Sequence, residues 1–249
     1  ARAGAGGVSA SLCSHAIGLP PVIRAATDAV RARVVPEVLA GEKIAALAIT
    51  ESTGGSDVAN LRTTARREGK QYIVKGSKTF ITSGLQADYI TTAVRTGGAG
   101  MHGISLLLIE ADMPGFSRTP LKKMGWHASD TATLYFDDVR VPADNLIGEE
   151  NKGWTYAKVL LTHERTNIAG VPRGKRRLRA LKRIAGETDD GFGNSMMDNQ
   201  GFRNKLASIE IELQALEYAE LRTLASISTG KAPGPESSIL KIVGTELAQ

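Results

Sequence analysis

The sequence predicts an α+β fold with an N-terminal helical segment, a central antiparallel β-barrel or sandwich domain, and a C-terminal helical bundle. Three observations lead to this prediction. Apolar residues recur at helical spacing before residue 43, short β-rich runs fill about 43 to 145, and helical spacing returns after about residue 150. The expected domain ranges are 1–42, 43–148 and 149–249 of the 249 residues.

The helical segment is most evident between residues 20 and 40. This stretch starts with two prolines, has apolar residues at helical spacing, and stops at Gly41. Proline favours the first turn of a helix and glycine the position just past its end. We therefore expect one or two short helices here.

The central domain is predicted from seven β-rich runs separated by Gly, Asp, Asn and Pro. They lie at residues 43–50, 63–69, 71–82, 88–96, 104–111, 116–125 and 132–142. Short runs with regular turn signals are typical of an antiparallel sandwich or barrel.

The C-terminal part is predicted to contain helices over residues 154–184, 202–229 and from 236 onward. The middle helix has apolar residues near helical spacing, which should bury one face. These residues are Leu206, Ile209, Leu213, Leu216, Leu221 and Leu224. The polar, glycine-containing stretch 187–201 is expected to be a mobile loop.

Composition bears on whether the protein spans a membrane, where in the cell it is expected and what charged partners it could bind. No apolar run approaches the ~20 residues that a membrane-spanning helix requires, and no secretory signal or transit peptide is evident. Cys13 is the single cysteine, so it has no internal disulfide partner, and a reducing cytoplasmic location is expected. The net charge of +5 owes much to residues 173–183. A solvated helix face is the preferred interpretation of this basic run, because no aromatic residues interleave with the charges as a nucleic-acid patch would require. Attraction of a phosphorylated ligand is a third interpretation.

Five motifs occur in a fixed order along the chain: "AITESTGGSDVA", "GSKTFITSG", "GISLLLIE", "KMGWHASDTATLYFDDVRVP" and "LIGEENKGW". Together they resemble the acyl-CoA dehydrogenase family. The resemblance implies that FAD and an acyl-CoA meet between the domains, and that most of the first domain and the last part of the third are missing. "HERTNIAGV" and "GPESSILKI" look most similar to the large-subunit, pimeloyl-type and steroid side-chain branch.

The first motif raises the question of what a strand leading into small, hydroxylated residues can bind. An isoalloxazine ring has carbonyl oxygens and nitrogens at its edge, and short hydroxyls and backbone N–H groups suit these atoms. By resemblance, Leu47, Ile49 and Thr50 line the flavin, and Gly55 and Ser56 reach the flavin and the pantetheine or phosphate arm of CoA. A capped turn leaving a strand is the alternative interpretation.

The second motif supplies an aromatic residue. Many relatives have tryptophan where this chain has Phe80, and the resemblance implies that the ring packs on the flavin. Ile81, Thr82 and Ser83 are then expected to contact the reactive edge of the ring. By themselves, Phe80 and Ile81 would also suit an ordinary core.

Dehydrogenation of an acyl thioester needs a base for the α-proton and an acceptor for the β-hydride. In the isovaleryl and long-chain branches the base lies on the first helix after the β domain, and Glu164 has the matching position here. Arg165 follows it and is expected to bind substrate; a structural Glu-Arg pair and a base nearer the C-terminus are the alternatives. Ser129 is expected either to contact the acyl-CoA or to hold its loop.

The implied function is FAD-dependent α,β-dehydrogenation of an acyl-CoA to the trans-2-enoyl-CoA, with electrons passed to an electron-transfer flavoprotein. An acyl-CoA oxidase and a non-catalytic acyl-CoA-binding subunit are the alternatives. No metal is expected, because the histidines lack ligand spacing. A homotetramer is expected, or a heterotetramer with a related subunit, because Phe192-Gly193 lacks the basic residue that usually precedes this pair in relatives. Neither nucleic acid nor membrane is expected as a partner.

Overall fold

The computed structural model describes residues 6–158, 169–230, 234 and 236–249. The chain divides into two compact units, residues 1–160 and residues 161–249. The predicted helix-β-helix order is confirmed by the sequence of elements.

The first unit starts with four helices. They are α1 (Gly6–Cys13), α2 (His15–Gly18), α3 (Pro20–Ala25) and α4 (Asp28–Leu39). The prediction for residues 20–40 is confirmed as two helices. The Thr27 hydroxyl caps α4 by accepting a hydrogen bond of 3.3 Å from the Val30 amide. Buried valines at positions 30, 34 and 38 recur at four-residue spacing, so α4 packs through one face.

Eight strands follow. They are β1 (Ala45–Ala48), β2 (Thr64–Glu68), β3 (Gln71–Thr82), β4 (Tyr89–Arg95), β5 (Ile104–Glu110), β6 (Phe116–Pro120), β7 (Thr131–Pro142) and β8 (Leu146–Ile147). Each of the seven predicted runs corresponds to one strand, with β7 starting one residue earlier than predicted, and the short β8 is additional.

The strands form one mixed sheet in the order β6-β7-β3-β2-β4-β5-β8, with β1 beside β4. The antiparallel prediction holds for most pairs, including the long β3-β7 pair. It is wrong for two pairs: β1 runs parallel to β4, and β2 meets β4 in parallel at Thr64 and Arg95. The β2-β3 hairpin separates β1 from β4 along the chain, and this crossover lets β4 run in the same direction as β1.

Both faces of the central strands are buried. Alternate residues of β5 belong to different core clusters: Leu107 and Ile109 lie on one face, and Leu106 and Leu108 lie on the other. The second cluster also contains the α4 valines. Strands buried on both faces are continuous apolar runs, which explains the sequence of β5.

The second unit contains three described helices of its own, α5 (Val171–Glu187), α6 (Gln200–Ser228) and α7 (Glu236–Glu246). Its core consists of Ala169, Val171, Leu178, Leu206, Leu213, Leu216 and Leu240. The predicted α6 stripe is thus confirmed for three leucines. The other three predicted residues, Ile209, Leu221 and Leu224, are 36%, 53% and 45% exposed.

The predicted helix over 154–184 is interrupted in the described structure. Residues 153–158 are helical and α5 begins at Val171, with residues 159–168 outside the described part. The connection between α5 and α6 contains turns and a short 3₁₀ helix, Met196–Asp198. Across the described residues, we find no helix with the length and apolar character needed to cross a membrane.

Candidate functional site

The chain leaves β1 through a tight turn. The amides of Glu51 and Gly54 each donate a hydrogen bond of 3.1 Å to the other residue's carbonyl. Residues 52–57, which we call the hydroxyl-rich loop, are exposed, so the hydroxyls of Ser52, Thr53 and Ser56 face solvent. A Cβ atom on Gly55 would lie 3.0 Å from the Thr50 Cγ2 atom, so glycine allows the loop to fold closely over Thr50.

Strand β3 presents an aromatic ring through a β-bulge. Its pairing with β7 shifts between Lys78 and Ile81, so that Thr79 and Phe80 together oppose the single residue Thr133. Phe80 has a φ of 58°, which is unusual for a residue other than glycine. Its side chain is 68% exposed. A strained backbone that presents an apolar ring to solvent is typical of a ligand site.

The β1 exit and the β3 bulge lie side by side. The Thr79 amide donates to the Thr50 carbonyl at 2.9 Å. The Lys78 ammonium donates to the Ile49 carbonyl at 3.0 Å. These two bonds place the exit of β1 next to the bulge that carries Phe80, so the first two sequence motifs lie side by side at one edge of the unit.

A buried ion pair lies beneath this edge. The Nζ atom of Lys78 is 2.8 Å from Oε1 of Glu51, and the two side chains are 0% and 5% exposed. The same carboxylate accepts backbone N–H groups from Arg62 at 2.6 Å and from Thr63 at 2.9 Å. The Glu51 carboxylate is therefore surrounded by three donors from two other parts of the chain.

Burial affects the pKa values of both groups. Desolvation would raise the pKa of Glu51, but the hydrogen bond and charge of Lys78 and the amides of Thr63 and Arg62 hold it below its usual value. Desolvation lowers the pKa of Lys78 to about 8, because it outweighs the opposing hydrogen bond and charge of Glu51. At neutral pH both groups are mainly charged.

The loop between β6 and β7 lies next to the C-terminal end of β3. The Ser83 amide donates to the Asp130 carbonyl at 3.1 Å. In the same loop, Lys123 donates to the carbonyls of Trp126 and Ser129. Trp126 has a φ of 55° and is 64% exposed. The loop thus adds a second exposed aromatic residue in an unusual backbone conformation.

The predicted residues occupy different environments. Five predicted residues belong to the two neighbouring segments and are exposed or half-buried: Thr50, Gly55, Ser56, Phe80 and Thr82. The side chain of Ile81 lies in the β core at 2% exposure.

The remaining predicted residues of this unit are less exposed to solvent. Leu47 is half-buried, and Ile49 packs against the cluster that includes the N-terminal helices. Ser83 is buried, and its hydroxyl donates to Ser14 at 2.9 Å. Ser129 is 2% exposed, and within the described part of the chain its hydroxyl donates to the Asp130 carbonyl at a long distance of 3.4 Å.

The predicted base Glu164 and its neighbour Arg165 lie outside the described residues. Sequence reasoning assigned no role to Glu51 or Lys78, although both lie in the quoted motifs. A usable signal was present, because Lys78 is a charged residue inside the predicted strand 71–82, and a lysine that is buried in a fold is almost always paired. Among the described residues, no three histidine, cysteine, aspartate or glutamate side chains lie together in a way that could hold a metal ion.

The described fold, with short helices, a mixed β sheet and a helical unit in this order, matches that of solved acyl-CoA dehydrogenases. A probable acyl-CoA dehydrogenase from Mycobacterium abscessus superposes with a TM-score of 0.92 at 43% identity, over 98% of this chain and 65% of that one. Residues 46–139 match the profile "Acyl-CoA dehydrogenase, middle domain". Residues 151–249 match the profile "Acyl-CoA dehydrogenase, C-terminal domain". The chain belongs to the acyl-CoA dehydrogenase family.

Two further relatives are informative. The acyl-CoA dehydrogenase AFT10-1 of Alternaria alternata is 39% identical over 235 residues, which is 91% of this chain and 53% of the relative. The ChsE4-ChsE5 complex from Mycobacterium tuberculosis gives a TM-score of 0.84 at 34% identity, over 96% of this chain and 61% of that one. The chain therefore spans about half to two thirds of the length of the relatives it matches.

Proposed function

We propose that this protein is an FAD-dependent acyl-CoA dehydrogenase that converts an acyl-CoA thioester to the trans-2-enoyl-CoA. The observation that carries the proposal is the exposed Phe80 ring, held by a strained bulge beside a hydroxyl-rich loop in a chain of this family. We further propose that electrons pass to an electron-transfer flavoprotein.

The chemistry of this edge fits a flavin. A flat apolar ring with polar atoms around its rim needs an aromatic surface and short donors that approach closely. Phe80 provides the surface, and the hydroxyls of Thr50, Ser56 and Thr82 provide donors. Gly55 keeps the loop close to Thr50. When bound, FAD would supply the acceptor for the hydride that leaves the β-carbon.

The protein must itself remove the α-proton. We propose that the carboxylate of Glu164 accepts this proton as the α C–H bond breaks, and that Arg165 helps to hold the thioester. The burial of Ser129 favours the alternative role, in which this residue holds its own loop. Hydrogen bonds to the thioester carbonyl would acidify the α-carbon and make a carboxylate a competent base. The location of a base in this position in the long-chain branch supports the assignment.

The test is a flavin titration followed by addition of substrate. Protein expressed from its complete reading frame should be yellow, and a panel of acyl-CoA thioesters should bleach its visible absorbance. Glu164→Gln should retain FAD but lose at least 99% of the bleaching rate, since removal of a general base costs about 10²-fold or more. Glu212→Gln, on the exposed side of α6, is the matched control and should bleach normally.

Two results would contradict these assignments. A wild-type protein that binds no FAD under any condition would remove the proposed function. A Glu164→Gln variant with normal bleaching would leave the function intact and would place the base elsewhere in the protein.

The assembly is a separate proposal. The likeness to the ChsE4-ChsE5 complex favours a heteromer with a related subunit as a second candidate, in which this chain contributes acyl-CoA binding. Phe192 and Gly193 lie in an exposed turn between α5 and α6, and Phe192 is 88% exposed. Native mass spectrometry after co-expression with a homologue encoded next to this gene distinguishes the two assemblies. An active, FAD-loaded homotetramer would show that no partner subunit is needed.

A further inference from the structure

We propose that the buried pair formed by Glu51 and Lys78 is a positioning device that sets the distance between the hydroxyl-rich loop and the Phe80 ring, and thereby the affinity for the flavin. This inference rests on the proposed function. Neither residue faces solvent, so both would act through the segments that they hold rather than by touching a ligand.

The pair lies at the base of both ligand segments. Glu51 is the first residue of the turn that leads into the exposed loop, and its backbone closes that turn with Gly54. Lys78 is the last residue of β3 in regular register before the bulge, two positions before Phe80. A shift of either charged group would therefore move one ligand segment relative to the other.

The carboxylate also fixes a third segment. Oε1 accepts from Lys78 and from the Thr63 amide, and Oε2 accepts from the Arg62 amide. The Thr63 hydroxyl in turn donates to the Ser77 carbonyl at 3.1 Å, next to Lys78 in β3. One carboxylate thus connects the exit of β1, the approach to β2 and the interior of β3.

Stability alone is a weak explanation for such a pair. Removing two charges from water is costly, and well-packed apolar residues of similar volume often stabilise a fold as well or better. What a paired carboxylate adds is direction, because its oxygens accept hydrogen bonds only from donors at defined positions. The described contacts of Glu51 and Lys78 all tie together main-chain segments that flank the predicted flavin edge.

The test compares flavin affinity with fold stability in Lys78→Met, Glu51→Gln and the double variant. The dissociation constant for FAD is measured by fluorescence titration of cofactor-stripped protein expressed from the complete reading frame. Each single variant should raise this constant at least tenfold. The double variant should recover thermal stability relative to Lys78→Met, because no charge remains unpaired, but it should not recover FAD affinity.

A second readout needs no cofactor. Amide hydrogen exchange of the segment 79–83 should be faster in each variant than in the wild type, because the bond from the Thr79 amide to Thr50 loses its support. Val34→Ala is the matched control, since this fully buried residue lies in α4, outside the two segments that Glu51 and Lys78 connect. It should lose thermal stability while FAD affinity and exchange of 79–83 stay unchanged.

The outcomes separate the two proposals. Variants that melt earlier but bind FAD within twofold of the wild type, with unchanged exchange at 79–83, would show a purely structural pair and overturn the inference alone. If the wild type binds no FAD, the proposed function fails, and this inference fails with it. If Lys78→Met does not fold, Glu51→Gln decides alone, because glutamine keeps the size of glutamate and one acceptor oxygen.

Discussion

The two units of the chain differ in one respect: among the described residues, the β unit alone buries an ion pair. The β unit contains an almost fully buried ion pair and central strands whose residues are almost all buried. The helical unit places its ion pairs at the surface, as between Lys175 and Glu217 at 2.5 Å. It also leaves large apolar residues exposed, including Ile211 at 68% and Ile239 at 60%.

The difference indicates which interactions stabilise each unit and fix its geometry. In the β unit, apolar burial on both sheet faces supplies stability, and the buried pair adds a defined geometry at one edge. In the helical unit, amphipathic helices bury one stripe in a small core while other apolar side chains remain in solvent. We therefore expect substitutions of equal size to have unequal effects in the two units.

The largest expected contrast is between two leucine-to-alanine changes. Leu107, in β5, is fully buried, and its removal should cost about 2 to 5 kcal/mol through lost burial and a cavity. Leu221, in α6, is 53% exposed, and the same change should cost about 1 kcal/mol or less.

Urea unfolding measures this contrast. The two tryptophans, Trp126 and Trp154, both lie in the first unit, so their fluorescence reports on that unit. Circular dichroism at the helical band follows the second unit as well. Equal losses for the two variants would show that exposure of the α6 leucines in this structure does not reflect their environment in solution.

The sequence predicted the strands better than their pairing. The bounds of β3 match the predicted range 71–82, because a turn at Gly69 and the β-rich composition of the run mark this strand locally. The parallel pairing of β1 with β4 depends on residues more than forty positions apart, between Ala45 and Tyr89, and no local pattern encodes it. In α6, helical spacing correctly marks an apolar stripe, but spacing alone does not say how much of the stripe is covered.

For the candidate site, too, the sequence indicated the residue types but not their contacts in the folded chain. An aromatic residue at position 80 and small hydroxylated residues near 50 are visible in the sequence. The bulge that exposes Phe80 depends on the register with β7, which sequence periodicity does not give. The Glu51-Lys78 contact joins residues 27 positions apart, so its discovery required the folded chain.

A smaller effect is expected from acid. The pKa of Glu51 is lowered in the folded protein from an ordinary value of 4.5, so the folded state binds this proton less readily than the unfolded state. The resulting stabilisation is present above about pH 4.5 and is lost as the pH falls toward the folded pKa. The difference in unfolding free energy between the wild type and Glu51→Gln should therefore shrink below pH 4.5.

Urea titrations at several pH values test this prediction. Val34→Ala provides the control, because it removes no titrating group and its stability difference should not change with pH. A gap between the wild type and Glu51→Gln that stays constant from neutral pH into acid would show that this carboxylate has the same pKa in both states.

The smallest expected effect comes from a surface pair of the helical unit. The Nζ atom of Lys182 lies 2.8 Å from both carboxylate oxygens of Glu210, but the two side chains are 38% and 53% exposed. Water and salt screen such a pair, so Lys182→Ala should cost about 1 kcal/mol or less, and less still in 1 M salt. A double-mutant cycle with Glu210→Ala, read by circular dichroism at low and high salt, isolates the interaction. A coupling above about 2 kcal/mol that is insensitive to salt would exceed the range for exposed pairs. Access to water would then not explain how this pair differs from the buried pair of Glu51 and Lys78, and geometry would be the remaining difference.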